Sequence, residues 1–302
     1  MRKIIHSFLL LLVFTITTPA MAALNIFACE PEWASLANEL GGERVKTFSA
    51  TTAYQDPHHI EARPGLIAKV RRADLLICSG AELEVGWLPL LQRQAGNTKV
   101  LSNARGYFEA SAMVKTLDVP VEAMDRTMGD VHAAGNPHVH LDPRRILTIA
   151  TALNARLAEL DPQGKEHYQK RYSDFKQRWQ QAITKWQQQA SGLKGKRIIV
   201  HHRDWVYLFD WLGIEIAGAL EPKPGLPTTA GHLVSLKQAL TLSPATMIVY
   251  TAYQNPRAAK RFSQMTNIPA AELPYTVGGA EQVNDLFSLF DVTIKRLSGE
   301  RQ

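Results

Sequence analysis

The sequence, 302 residues long, is poor in cysteine, in charge bias and in long apolar runs. Cys29 and Cys78 are its only cysteines, which rules out a disulfide-stapled scaffold, and the absence of a CxxC pair leaves no sulfur-based metal site. Both end short apolar, strand-like runs, Leu24 to Ala28 and Leu75 to Ile77. If those strands are neighbours in a parallel sheet, the thiols are close enough to bond in an oxidising compartment; otherwise they are two buried free thiols. Net charge is only +6 and no Lys/Arg-rich run exists, so there is no footing for a nucleic-acid partner. Low-complexity tracts and repeats of 20 to 50 residues are also missing, against a solenoid or a linker-rich architecture.

The one long apolar run, Phe8 to Phe14, is short of the roughly 20 residues that cross a bilayer. It follows Arg2 and Lys3 and precedes Ala20-Met21-Ala22, the charge, apolar core and small-x-small order of a secretory signal peptide. Cleavage is expected after Ala22. The segment holds two cations, Arg2 and Lys3, and no acid, so its loss lowers the formal charge from +6 to +4.

What is present is an alternation of short apolar strands and helical patterns. In the first half the order is Leu24 to Cys29, a helix near Glu32 to Leu40, Val45 to Phe48, a helix over Pro64 to Arg72, then Asp74 to Ser79. The second half runs Arg197 to His201, a helix from Trp205 to Leu212, Ile214 to Ala217, a helix near His232 to Leu240, Met247 to Thr251, and a helix over Pro256 to Met265. Such an order predicts an α/β fold with two lobes, each a mostly parallel sheet flanked by helices. Between them, Tyr168, Tyr172, Phe175, Trp179, Ile183 and Trp186 recur at helical spacing through a proline-free polar stretch. This stripe predicts one long backbone helix joining the lobes. The expected division is a signal peptide over 1–22, an N-terminal lobe over 23–161, the linking helix over 162–191 and a C-terminal lobe over 192–302.

Six of the ten histidines fall in three distant segments: His58-His59, His138-Val139-His140 and His201-His202. Neutral imidazole is the commonest protein ligand for zinc, and a tetrahedral site draws three or four donors from separate segments. His201 and His202 end a predicted strand, His58 lies in a loop after another, and Asn136-Pro137 puts His138 on a rigid turn. Asp142-Pro143 reads as the cap and first position of the next helix. His132, His167 and His232 have no such company and read as structural or surface residues.

At these segments the chain resembles the periplasmic metal-binding proteins of ABC importers, the cluster A-I zinc/manganese class. Asp56-Pro57-His58-His59-Ile60-Glu61 resembles the family's DPHxxE loop, and Ala73-Asp74-Leu75-Leu76 with Ser79-Gly80-Ala81-Glu82-Leu83-Glu84 resembles its ADLxxxxGxxLE strand and turn. Asn136-Pro137-His138-Val139-His140-Leu141 is similar to [DN]PHxWL, with His140 in place of the usual Trp. His202-Arg203-Asp204-Trp205-Val206-Tyr207-Leu208 is similar to the family's third-ligand motif, in which one His precedes an aromatic by three and a Tyr by five, and that resemblance picks His202 over His201.

The resemblance implies His58, His138 and His202 as metal ligands, with Zn(II) as transported cargo in the periplasm. It also implies as partners a membrane permease and its cytoplasmic ATPase, and the chain is expected to be a monomer and not an enzyme. Relatives often carry an acidic ligand where this chain reads Tyr275-Thr276-Val277-Gly278-Gly279, leaving water, His140 or His59 as candidates for the fourth position. Many zinc-importing relatives also have a His-rich loop before the second motif, whereas residues 110–135 here contain a single histidine, His132. Two rivals share some of these residues. His138-Val139-His140-Leu141-Asp142 reads HxHxD, the start of a zinc-hydrolase signature, although Pro143 stands where its last His belongs. A zinc chaperone or adhesin of the same fold would share the site but not the partner.

Overall fold

The computed structural model describes residues 23–121 and 129–299; the expected signal peptide lies outside them. The chain folds around two four-stranded sheets in which every pairing is parallel. In the first, β1 (Leu24–Ala28), β2 (Val45–Ser49), β3 (Leu75–Cys78) and β4 (Tyr107–Glu109) lie in the order β2-β1-β3-β4. In the second, β5 (Arg197–Val200), β6 (Glu215–Ala219), β7 (Met247–Tyr250) and β8 (Ala270–Glu272) lie in the equivalent order β6-β5-β7-β8. The order reverses beside the first strand of each sheet, and loops beyond the carboxyl ends there border a crevice.

Helices α1 (Pro31–Gly41), α2 (Pro64–Arg72) and α3 (Leu88–Ala95) cover the first sheet, then α4 (Pro143–Leu160) and α5 (Lys165–Gln189) follow. In the second half come α6 (Val206–Leu212), α7 (Ala230–Ala239), α8 (Pro256–Thr266) and α9 (Leu286–Leu297). Proline opens α1, α2, α4 and α8, where its missing N–H costs nothing and its fixed φ suits the first turn. Asp142 caps α4 by accepting the Arg144 N–H, as the Asp-Pro pair predicts.

Alternation along the strands sorts the core. Ile26 and Ala28 of β1, Leu75 and Ile77 of β3, and Ile198 and Val200 of β5 face one continuous cluster that also holds α1, α4, α5 and α9. Their neighbours face outward: Phe27, Cys29, Leu76 and Cys78 pack under α2 and α3, and Ile199 and Ile248 under α7 and α8. The inner faces of both sheets thus share one hydrophobic core.

Helix α5 is the backbone of that core. Tyr168, Phe175, Trp179 and Trp186 of the aromatic stripe are fully buried, and Tyr172 and Ile183 pack partly buried against the cluster. At its first half Arg171 Nε donates to the Glu39 carbonyl of α1 at 2.8 Å. Trp179 Nε1 donates to the Pro143 carbonyl at 2.7 Å, and its ring meets Phe287 and Phe290 of α9 edge-on. Lys185 and Trp186 both donate to Asp291 of α9. At 1.5 Å per residue the helix runs about 38 Å and touches elements of both halves.

Cys29 and Cys78 follow one another across the β1–β3 pair, with Cα atoms 4.8 Å apart, and are disulfide-bonded. The turn after β3 explains the GxxLE pattern. Gly80, Ala81 and Glu82 all have positive φ, and a Cβ on Gly80 would collide with the Glu109 side chain. Carboxylates take the buried N–H groups at this turn: Glu84 accepts from Ser79 and Gly80, and Glu109 accepts from Ala81. Glu30 accepts from the Ser79 amide and hydroxyl on the same buried spot. Burial raises the Glu84 carboxyl to about 7. Burial, with the negative charges of Glu84 and Glu32, pushes Glu30 well above the usual carboxylate range.

Two stability measurements follow from this packing. Trp179→Ala is expected to cost about 3–5 kcal/mol, read as a lower denaturation midpoint with an unchanged slope; a loss under 1 kcal/mol would mean that α5 is not seated in the shared core. Because the Glu84 pKa is raised on folding, the native state holds its proton between about 4.5 and about 7 while the unfolded chain does not. Wild type should therefore lose stability relative to Glu84→Gln as pH rises through that window, by at most about 3 kcal/mol, and level off above it. Parallel pH–stability curves for the two proteins would contradict this.

Candidate metal centre

Three loops deliver imidazoles to one point in the crevice. His58 lies after β2, on a loop held by Trp87, whose Nε1 donates to the Pro57 carbonyl at 2.9 Å. His138 sits just before a 3-10 turn, with its amide donating to Asn136 Oδ1 at 3.0 Å. His202 follows the end of β5. All three are buried, and one nitrogen from each lies within 4.8 Å of the other two. The rings stand nearly perpendicular in pairs, with centroids 5.5–5.9 Å apart.

The other nitrogen of each ring is committed. His58 Nδ1 donates to Asp56 Oδ1 at 2.8 Å, and His202 Nδ1 donates to Glu221 Oε2 at 2.7 Å. His138 Nδ1 lies 2.8 Å from the Tyr275 hydroxyl, which accepts in the tautomer that leaves Nε2 bare. Each partner fixes a ring and directs the Nε2 lone pair to the centre, the arrangement that orients metal-binding imidazoles.

Electrostatics divide the rings. Burial, then the neighbouring imidazoles of His58 and His202, hold His138 well below the ordinary histidine range, so it stays neutral. Burial acts the same way on His202, but Asp204, Glu221 and Asp56 outweigh it and raise it to about 9. A metal must displace the proton that these carboxylates retain. Asp204 is fully buried, accepts from Tyr253 Oη and Gln254 Nε2 at 2.8 Å each, and places Oδ1 3.7 Å from His138 Nε2.

Neither candidate for a fourth position stands in the cluster. His140 turns into the core, where Nε2 donates to the Tyr275 carbonyl at 3.1 Å and Nδ1 lies 3.2 Å from Glu32 Oε1. Glu32 Oε2 accepts from Thr276 Oγ1, which joins α1 to the segment after β8. His59 is mostly exposed, with its nearest charged partner Asp130 at 3.8 Å. His201 is directed to a separate cavity lined by Pro227, Thr229 and Arg261. Of the HxHxD segment only His138 joins the cluster, since Asp142 caps α4 and pairs with Arg144 and Arg145.

One residue read as structural or surface is placed otherwise: His132 Nε2 lies 3.3 Å from His58 Nε2, with the two rings stacked. A lone histidine carries no spacing signal, so nothing in the sequence distinguished it. Glu221, Asp204 and Tyr275 were missed for the same reason; only Asp204 is within two residues of a singled-out ligand.

Residues 26–299 match the family model "Zinc-uptake complex component A periplasmic". The chain belongs to that family. It is 25% identical over 260 residues to the metal ABC transporter substrate-binding lipoprotein SloC of Streptococcus mutans, covering 84% of this chain and 81% of that protein. It is 22% identical over 261 residues to the manganese ABC transporter substrate-binding lipoprotein PsaA of Streptococcus pneumoniae, covering 86% and 82%. Its fold superposes on a crystal structure of ZnuA with a TM-score of 0.77 at 19% identity, covering 93% of this chain and all of that one. The protein is thus a metal-binding, substrate-binding component of an ABC transporter, placed outside the cytoplasm. Among the described residues no helix is long and apolar enough to cross a membrane.

Glu221→Gln should weaken metal binding about 10- to 100-fold, because the amide holds the His202 ring less firmly and leaves it less basic. Chelator competition measures this, and an unchanged affinity would remove Glu221 from the site's support.

Proposed function

We propose that the protein captures Zn(II) at His58, His138 and His202 and delivers it to a membrane permease driven by a cytoplasmic ATPase. Captured ion and protein would work as a monomer in the periplasm after removal of residues 1–22. The ion sits between a lobe of residues 23–161 and one of residues 192–302, with the segment 162–191 as the rigid strut between them.

The observation that carries the reading is the donor set. Three imidazoles converge with Nδ1 committed, the carboxylates Asp56 and Glu221 sit behind them, and Asp204, whose Oδ1 comes within 3.7 Å of His138 Nε2, is engaged by Tyr253 and Gln254. Neutral nitrogen donors in a tetrahedral arrangement suit zinc, whereas manganese prefers more carboxylate oxygen. Relatives are named for manganese as well as for metal in general, so the donor set, not the kinship, supports the choice of zinc.

Isothermal titration of the metal-free protein is expected to give one Zn(II) per chain, tighter than micromolar, with Mn(II) far weaker. His58→Ala and His138→Ala should each lose most of that affinity. Micromolar or weaker zinc beside tight manganese would sink the proposal.

A further inference from the structure

The segment entering the second histidine motif is a strap across the crevice. Its Asp130 amide donates to the Pro224 carbonyl at 2.8 Å, Ala133 N–H donates to Glu82 Oε2 at 2.7 Å, and Asn136 N–H donates to the Leu117 carbonyl at 2.8 Å. Between the first two anchors His132 turns inward. It lines, with His138, His202 and Pro224, a cavity of about 380 Å³.

At that point His132 Nε2 stands 3.3 Å from His58 Nε2, though it lies outside the set of nitrogens within 4.8 Å of one another that His58, His138 and His202 form, so the strap must shift inward to complete the shell. Donors about 2.0–2.1 Å from a tetrahedral zinc are about 3.3 Å from one another, so the pair already has the spacing of two ligands on one ion. His58 Nε2 carries a lone pair because its Nδ1–H is spent on Asp56. A change of tautomer lets the His132 ring offer its own Nε2 lone pair.

We propose that His132 is the fourth ligand of the bound metal, brought in by the 129–136 strap and closing the shell that His58, His138 and His202 begin. The inference rests on the zinc-capture reading and adds to it the residue that completes the site. It also gives the strap a consequence for the opposite lobe. Pro224, which holds Asp130, belongs to the turn whose Gly225 N–H donates to Glu221 Oε2 at 2.9 Å, and Glu221 in turn orients His202. Ligation by His132 therefore fastens the strap over the cavity and braces the His202 partner together.

Zinc K-edge absorption and chelator competition on the mature full-length protein test this, with His132→Ala and Asp204→Asn as variants. The wild-type spectrum should fit four imidazole nitrogens. His132→Ala should fit three nitrogens and one oxygen from water, bind at least about tenfold more weakly, and retain the wild-type melting curve without metal. Asp204→Asn should keep four nitrogens. A wild-type first shell retained in His132→Ala, or one altered by Asp204→Asn alone, overturns the assignment while zinc capture stands. Failure of the wild type to bind zinc overturns both.

Discussion

Everything at the site depends on the three hydrogen bonds at the Nδ1 atoms. An imidazole ligates only through a nitrogen without a proton, and a free ring distributes its proton between two. Asp56, Tyr275 and Glu221 each claim Nδ1, so Nε2 is the atom that every ring presents. These partners must be placed as accurately as the histidines themselves. Asp56 achieves this within a single turn, two residues from His58. Tyr275 and Glu221 require that the segment after β8 and the loop after β6 meet the strand ends of both sheets.

That requirement explains why the two halves share so much buried structure beneath the crevice. The Glu32, His140, Tyr275 and Thr276 network couples α1 to the segment that carries the His138 partner. On the other side, Asn136 Nδ2 donates to the Arg203 carbonyl at 2.8 Å and the Tyr207 hydroxyl donates to the Asn136 carbonyl at 2.5 Å. The second and third histidine motifs therefore hold one another in register. With one hydrophobic cluster running through both sheets and α5 seated along it, a wide hinge opening would expose Trp179, Phe290 and their neighbours to water. Capture and release then fall to loops and small tilts, the low-amplitude end of domain motion.

The sequence carries the elements that periodicity and chain punctuation encode. Leu24–Ala28, Val45–Ser49 and the Pro64–Arg72 helix are written in alternation, in apolar runs and in proline, and the α5 stripe is legible because helical spacing survives over many residues. The start of α4 was visible in Asp142-Pro143, but α9 has no proline or glycine signal at its start, only the Asp285 capping box. The three converging histidines were legible because each lies in a motif with a register. Glu221 and Tyr275 were not, since a single Glu or Tyr acquires meaning only from what lies opposite it. The pairing of Cys29 with Cys78 was left open because it turns on strand adjacency, which the β2-β1-β3 order decides.

His140 shows how the same residue type is steered to opposite uses two positions apart. A short 3-10 turn begins at Val139, so His138 and His140 leave the backbone in different directions, and their rings lie edge-on with centroids 6.4 Å apart. One faces the cavity, the other is completely buried against Glu32 and the Tyr275 carbonyl. A tryptophan at this place could fill the volume and offer one N–H, but an imidazole offers two polar atoms, one to each lobe. The substitution therefore converts a packing position into a polar tie directly behind His138. The tie is unequal: Nε2 donates to the Tyr275 carbonyl, whereas Nδ1 faces Glu32 Oε1 at 3.2 Å without a hydrogen bond, so the firm restraint is the one on Tyr275. Through Tyr275 that restraint reaches the His138 ring and so the metal centre itself.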